Sequence, residues 1–200
     1  MRRPVLIALV GVDGSGKTTQ ARALTRRLTA RGVPAAYFEN AGGRPLWNRL
    51  ARVLGRPDGL ALFGRTLYPA VEAAVRAAAM ARTLLWSWAA GRAAVLDRWT
   101  YCQYVIMQAR GGRAVRAAYR IFPAPTVVCF LAVAPEVAQR RVLARGIDTG
   151  ELAHLRALDA AYRALPEFGG FVVVPGDGDT GEVAAALDRV AAPLTGPLSR

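Results

Sequence analysis

The chain has 200 residues, 53% of them hydrophobic, which is enough for one domain with a full core, and no Ser/Gly- or Pro-rich linker divides it. Its 27 basic residues against 14 acidic ones give a formal net charge of +13 and favour anionic ligands; with no block of like charges and no aromatic-interleaved basic tract, nucleic acid is not expected as the principal ligand. No apolar run reaches the roughly 18 residues that cross a bilayer, and the two cysteines, Cys102 and Cys129, lack metal-like spacing, so a reduced, soluble, cytoplasmic protein without membrane partners is expected.

Arg2 and Arg3 before an apolar run resemble a signal peptide in outline, but the run soon meets Asp13 and has no small-residue cleavage site. Residues 5–10, too few for a buried helix, predict a strand that breaks into Gly11, Val12, Asp13, Gly14, Ser15, Gly16, Lys17, Thr18 and Thr19 and reopens as a helix through Arg31. In that strand–loop–helix setting, G-x-x-x-x-G-K-[ST] is a phosphate-binding P-loop. Successive backbone N–H groups converge on one point there, at the positive end of the following helix, so a polyphosphate such as that of ATP meets donors already in place. Lys17 would reach the β- and γ-phosphates, and Thr18 would offer its hydroxyl to Mg²⁺. Lys17 is also the chain's single lysine, a compact ammonium where every other base is an arginine fork.

Residues 35–39 predict a second strand, and the following Asn40, Ala41, Gly42 and Gly43 form a loop at its carboxyl end, facing the ligand crevice of a parallel sheet. A short helix over 46–54 and a turn at Pro57, Asp58 and Gly59 lead to a long Ala-rich helix from Tyr68 to about Ala90, carrying Glu72, Arg76 and Arg82; Trp86 and Trp88 near its end are read as core or interface. Residues 93–96 form a buried strand that delivers Asp97 and Arg98 to the sheet edge. A carboxylate there suits Mg²⁺, and the neighbouring guanidinium suits a phosphate. Helices over 101–110 and 114–121 precede a central strand at 126–133. Pro135 starts a helix that runs through Arg140, Arg141 and Arg145 to a loop bounded by Gly146 and Gly150, a lid-like segment at about 140–151. A helix over 151–165 holds His154, read as a surface residue, and a last strand at 171–174 and a helix at 181–190 close the chain. Strand–helix alternation throughout predicts an α/β fold, a parallel sheet layered between helices.

Among P-loop classes, a guanine-selective GTPase needs a second lysine in its N-K-x-D loop, which this chain does not have. Motor ATPases carry longer chains and multi-acidic strands, so a small phosphotransferase remains. The residues from Gly11 to Thr19, the Asp97-Arg98-Trp99 triplet, the run from Val133 to Ala138 with Arg141 and Arg145-Gly146 after it, and Leu158 with Tyr162 resemble the thymidylate kinase family over nearly the whole chain. The resemblance implies a five-stranded P-loop fold with a lid, frequent homodimers, and transfer of the ATP γ-phosphate to dTMP. It also implies that Asp13 meets the acceptor sugar and Arg98 its phosphate, while Arg141 and Arg145 supply positive charge at the transition state.

Two stretches depart from the family pattern. Its Arg-Glu-Pro-Gly-Gly-Thr loop stands here as Glu39, Asn40, Ala41, Gly42, Gly43 and Arg44. Arg76 matches the family's base-reading arginine, but one turn earlier Glu72 replaces the phenylalanine on which the base stacks, a contact of roughly 1–3 kcal/mol in comparable sites. A carboxylate there suits an amine- or hydroxyl-bearing acceptor. The sequence therefore leaves three readings: a thymidylate kinase, a kinase of the same build with another acceptor, and a non-catalytic nucleotide- or nucleic-acid-binding module.

Overall fold

The computed structural model describes residues 4–40, 43–108, 116–117, 119–146 and 150–195. Five strands form one parallel sheet: β1 (Leu6–Val10), β2 (Ala35–Glu39), β3 (Ala93–Asp97), β4 (Val127–Ala132) and β5 (Val172–Pro175), in the spatial order β2-β3-β1-β4-β5. The central strands are apolar except for Asp97 at the end of β3, because helices cover both faces. Side chains alternate between two cores: Leu6, Ala8 and Val10 pack with Leu96, Phe130, Met80, Trp99 and Tyr162, while Ile7 and Leu9 pack with Val95, Leu131, Leu24, Leu28 and Leu187. Only edge strand β5 leaves large apolar side chains, Val172 and Val173, exposed.

Among the described residues, seven α-helices wrap this sheet: α1 (Lys17–Ala30), α2 (Arg44–Val53), α3 (Gly59–Ala90), α4 (Thr100–Gln108), α5 (Pro135–Leu143), α6 (Leu152–Arg163) and α7 (Thr180–Ala191). β1 lies between β3 and β4, where the strand order reverses, so the loop leaving its carboxyl end opens at the crevice of the sheet.

The main departure from expectation is α3, which starts at Gly59 rather than at Tyr68. Asp58, expected in a turn, caps it by accepting from the Ala61 N–H at 2.8 Å. Gly64 breaks the helical geometry with φ 74 and marks a kink, but the first segment is held in line from α2, where Asn48 Oδ1 accepts from the Gly59 N–H and Trp47 meets Phe63 edge-on. Trp86 and Trp88 are not core: they are 41% and 56% exposed, and Trp86 packs edge-on against Phe38. Parts of the expected glycine loop (41–42), of the 101–110 and 114–121 helices (109–115 and 118) and of the lid loop (147–149) lie outside the described residues. Among the described residues, no helix is long and apolar enough to cross a membrane.

Candidate active site

The phosphate loop is shaped by its glycines. Gly14 has φ +86, and a Cβ there would run into the backbone of Ala138 on α5; at Gly11, with φ +144, it would meet the Leu131 carbonyl at 2.9 Å. The loop therefore threads between β4 and the lid helix, where only bare backbone fits. Gly16 ends the loop in a left-handed turn, and Lys17, Thr18 and Thr19 open α1, whose first turn has no acidic side chain to compete with a bound anion.

Lys17 lies buried beneath this loop. Its Nζ donates to the Val12 carbonyl at 2.6 Å and to Ser15 Oγ at 3.3 Å, and it stands 3.9 Å from Asp13 Oδ1. Burial, reinforced by the positive charge of Arg98, lowers its pKa to about 8. Arg98 Nη2 bonds the same Asp13 oxygen at 2.5 Å. Burial would raise the Asp13 carboxyl, but Arg98 and Lys17 outweigh it and hold the group below its usual value. One carboxylate thus gathers the two cations that the sequence placed at donor and acceptor phosphates.

Asp97 ends β3 and is 2% exposed. Its Oδ2 accepts from Thr18 Oγ1 at 2.5 Å and from the Tyr37 hydroxyl at 3.1 Å, while its Oδ1 is buried without a partner. Burial, with Asp97 beside it, pushes the Tyr37 hydroxyl well up, so Tyr37 stays a donor. A buried carboxylate oxygen left unpaired next to a threonine hydroxyl is what a hard divalent cation needs from its protein. Among the described residues, no group of three or more His, Cys, Asp or Glu could hold a metal, so the fit is to Mg²⁺ taken with phosphate oxygens and water and not to a closed protein cage.

Farther along α3, Arg76 Nη2 donates to Glu72 Oε2 at 3.3 Å, one turn apart on a buried face. That single bond leaves Glu72 Oε1, an acceptor, and Arg76 Nε, a donor, both buried and unpaired. One orphan atom is an acceptor and the other a donor, a pair complementary to a ligand edge that carries one donor and one acceptor.

Gly14, Ser15, Gly16, Thr19 and Gln20 line a cleft of about 200 Å³ together with Arg141, Arg145, Gly176, Gly178 and Thr180. Arg141 Nη1 donates to the Gly176 carbonyl at 3.0 Å, and Gln139 Nε2 spans the lid segment to the Gly150 carbonyl at 2.8 Å. Asp13 and Arg98 lie outside the lining of this cleft. His154 is exposed, as expected.

The sequence reading missed Tyr37, Gln20, Asn40 and Thr83. Tyr37 and Glu39 share one face of β2, and Glu39 pairs in register with Asp97, so strand periodicity could have brought Tyr37 to the site. Gln20, whose Nε2 donates to the Thr180 carbonyl at 3.1 Å, depends on a contact far away in sequence and carries no local signal.

A thymidylate kinase family model matches residues 9–184. The chain is 33% identical over 147 residues to a thymidylate kinase of Symbiobacterium thermophilum, over 68% of this chain and 66% of that protein, just under two thirds of its length. To a thymidylate kinase of Jannaschia sp. it is 33% identical over 177 residues, 81% of this chain and 82% of the relative. To that of Pseudomonas syringae pv. tomato it is 30% identical over 202 aligned positions, 93% of this chain and 94% of the relative.

Proposed function

The chain belongs to the thymidylate kinase family, and from that premise we propose that it transfers the γ-phosphoryl group of ATP to dTMP, giving dTDP and ADP. The whole chain serves as one kinase unit, with the segment at about 140–151 as its lid. The observation that carries the reading is the shared carboxylate: Lys17, at the donor phosphates, and Arg98, at the acceptor phosphate, stand 3.9 and 2.5 Å from the same Asp13 oxygen. Two anions drawn to cations held that close meet with their reacting atoms near each other, which is most of what phosphoryl transfer asks of a protein.

In the reaction, an oxygen of the dTMP phosphate bonds to the γ-phosphorus as the bond to the β–γ bridging oxygen breaks. The amides from Gly11 to Thr19 hold the triphosphate, and Lys17 neutralises its β- and γ-oxygens. Thr18 and Asp97 would hold Mg²⁺, which supplies charge neutralisation at the phosphate oxygens. Arg98 grips the acceptor phosphate through its fork, and Asp13, besides tethering Arg98, faces the acceptor sugar. Arg141 and Arg145 close over the donor nucleotide from the lid side, adding positive charge and excluding water, so that hydrolysis does not compete. Glu72 and Arg76 read the base: Arg76 Nε donates to a carbonyl, and Glu72 Oε1 accepts the neighbouring ring N–H, the pattern that thymine presents.

The Glu72–Arg76 pair also favours one second reading, a kinase of this build with a more polar acceptor, because no aromatic ring stands at position 72. An ADP-release assay with Mg²⁺ and ATP across dTMP, dUMP, dCMP, dGMP and the free nucleosides separates the two. ADP release that depends on dTMP, with dTDP formed, is expected; turnover of another acceptor with none on dTMP would overturn the first reading in favour of the second.

A further inference from the structure

Arg98 is the one non-glycine residue among the described residues with a positive φ, +73. A left-handed arginine is strained against an ordinary turn by the contact of its Cβ with the backbone, so neighbouring groups must hold it there. Two hydrogen bonds do so. Its N–H donates to the Leu9 carbonyl at 3.2 Å, extending the β1–β3 ladder by one residue, and its own carbonyl accepts from Asn40 Nδ2 at 2.9 Å. Strand register delivers Asn40 to that carbonyl: Glu39 pairs with Asp97, and the Asn40 N–H donates to the Asp97 carbonyl at 3.0 Å, so the next side chain lies beside Arg98.

Asn40 is 2% exposed, and a carbonyl partner accepts only from its NH₂, which fixes the orientation of its amide. The remaining oxygen, Oδ1, faces the Thr83 hydroxyl at 3.3 Å, and that hydroxyl also reaches the Ala79 carbonyl at 2.9 Å. Thr83 is fully buried and lies seven residues beyond Arg76, two turns along the same face of α3. A continuous line of contacts therefore joins α3, which carries Glu72 and Arg76, to the backbone of Arg98.

We propose that Asn40 is a positioning residue for the acceptor phosphate: its amide holds Arg98 in the left-handed turn that aims the guanidinium at Asp13 and the acceptor, and Thr83 fixes that amide from α3. The proposal rests on the reading that Arg98 grips the acceptor phosphate. Asn40 touches no reacting atom and acts only through Arg98.

Calorimetric binding of dTMP and of ATP with Mg²⁺ tests this in wild type, Asn40→Ala, Arg98→Ala and the double variant. Asn40→Ala is expected to weaken dTMP binding about ten-fold, with ATP binding changed by less than about two-fold. On the Arg98→Ala background the same substitution should change dTMP binding by less than about two-fold, since its route of action is gone. Equal losses in both backgrounds, or equal losses for dTMP and ATP, would overturn the proposal. Thr83→Val, which keeps shape and removes the hydroxyl, should shift dTMP binding in the same direction by about three-fold, and it serves if Asn40→Ala does not fold. A crystal structure of Asn40→Ala gives a readout free of the substrate: Arg98 should leave the left-handed region, and a retained positive φ would overturn the proposal. If wild type binds no dTMP while Arg98 relaxes in that variant, the acceptor assignment fails and the positioning device stands.

Discussion

The two halves of the site are assembled by different means. The proposed donor half is nine consecutive residues, from Gly11 to Thr19, whose conformation is set by glycines at fixed offsets. The proposed acceptor half is collected from afar: Asn40 follows β2, Glu72, Arg76 and Thr83 come from α3, and Arg98 follows β3. A loop that binds through amides presents the same donors to any polyphosphate, so its chemistry is generic. A site gathered from three elements can change ligand through one substitution. The donor half therefore defines the reaction class, and the acceptor half defines what is phosphorylated.

The sharpest way to break this division is Lys17→Ala. On the proposed reading Lys17 is the ammonium at the transferring phosphates, and removing it should lower kcat/KM about a thousand-fold for every acceptor alike, because the loss falls on the generic half. An ADP-release assay checks it, and a loss confined to one acceptor would show that the halves are not separable.

The same division explains what could be read in advance. The strand into the P-loop, the Asp97-Arg98 pair and the parallel α/β layering follow from local patterns: a short apolar run, glycines at set spacing, alternating periods. The meeting of Lys17 and Arg98 on Asp13 and the clamp of Asn40 on Arg98 span sequence separations of tens of residues and depend on register between β2, β3 and β1, which no single stretch encodes. The early start of α3 was hidden for the same reason. Gly64 and Pro69 argue locally against a helix, and packing against α2 overrides them.

Asp97→Asn ranks next, on the boundary between the halves. The substitution keeps the shape but removes the charge whose unpaired Oδ1 suits Mg²⁺. The Mg²⁺ concentration for half-maximal activity should rise on the order of ten- to a hundred-fold, while saturating metal recovers part of kcat. A metal titration at fixed ATP reads it directly.

A smaller, more selective effect is expected at Glu72. If Oε1 accepts the ring N–H of thymine, Glu72→Gln can present an NH₂ to that position and should cost about ten-fold in kcat/KM for dTMP, with KM for ATP unchanged. N3-methyl-dTMP, which lacks the donated hydrogen, should be a correspondingly poor acceptor for wild type and should lose little more in the variant. Equal use of both acceptors by wild type would remove Glu72 from the base-reading role while leaving the kinase chemistry intact.

The mildest test concerns pH and returns to the donor half. Burial, with Arg98 nearby, holds Lys17 at about 8 in the free protein, against 10.5 for an ordinary lysine. Below pH 8 the ammonium is charged and attracts the triphosphate; above it, the free enzyme loses that charge. Since kcat/KM reports groups of the free enzyme, its value for ATP should fall about two-fold at pH 8 and about ten-fold by pH 9. Bound triphosphate restores the charge, so kcat should hold across that range. Folding stability should move the other way. Between about 8 and 10.5 the unfolded chain keeps the proton that the folded chain has released, so ν_U exceeds ν_N and stability rises with pH through that window. With a single lysine in the chain, selective ¹³C-lysine labelling gives one side-chain resonance to titrate. An apparent pKa near the ordinary lysine value, unchanged by ATP, would place Lys17 away from the phosphates and undo the donor half of the comparison.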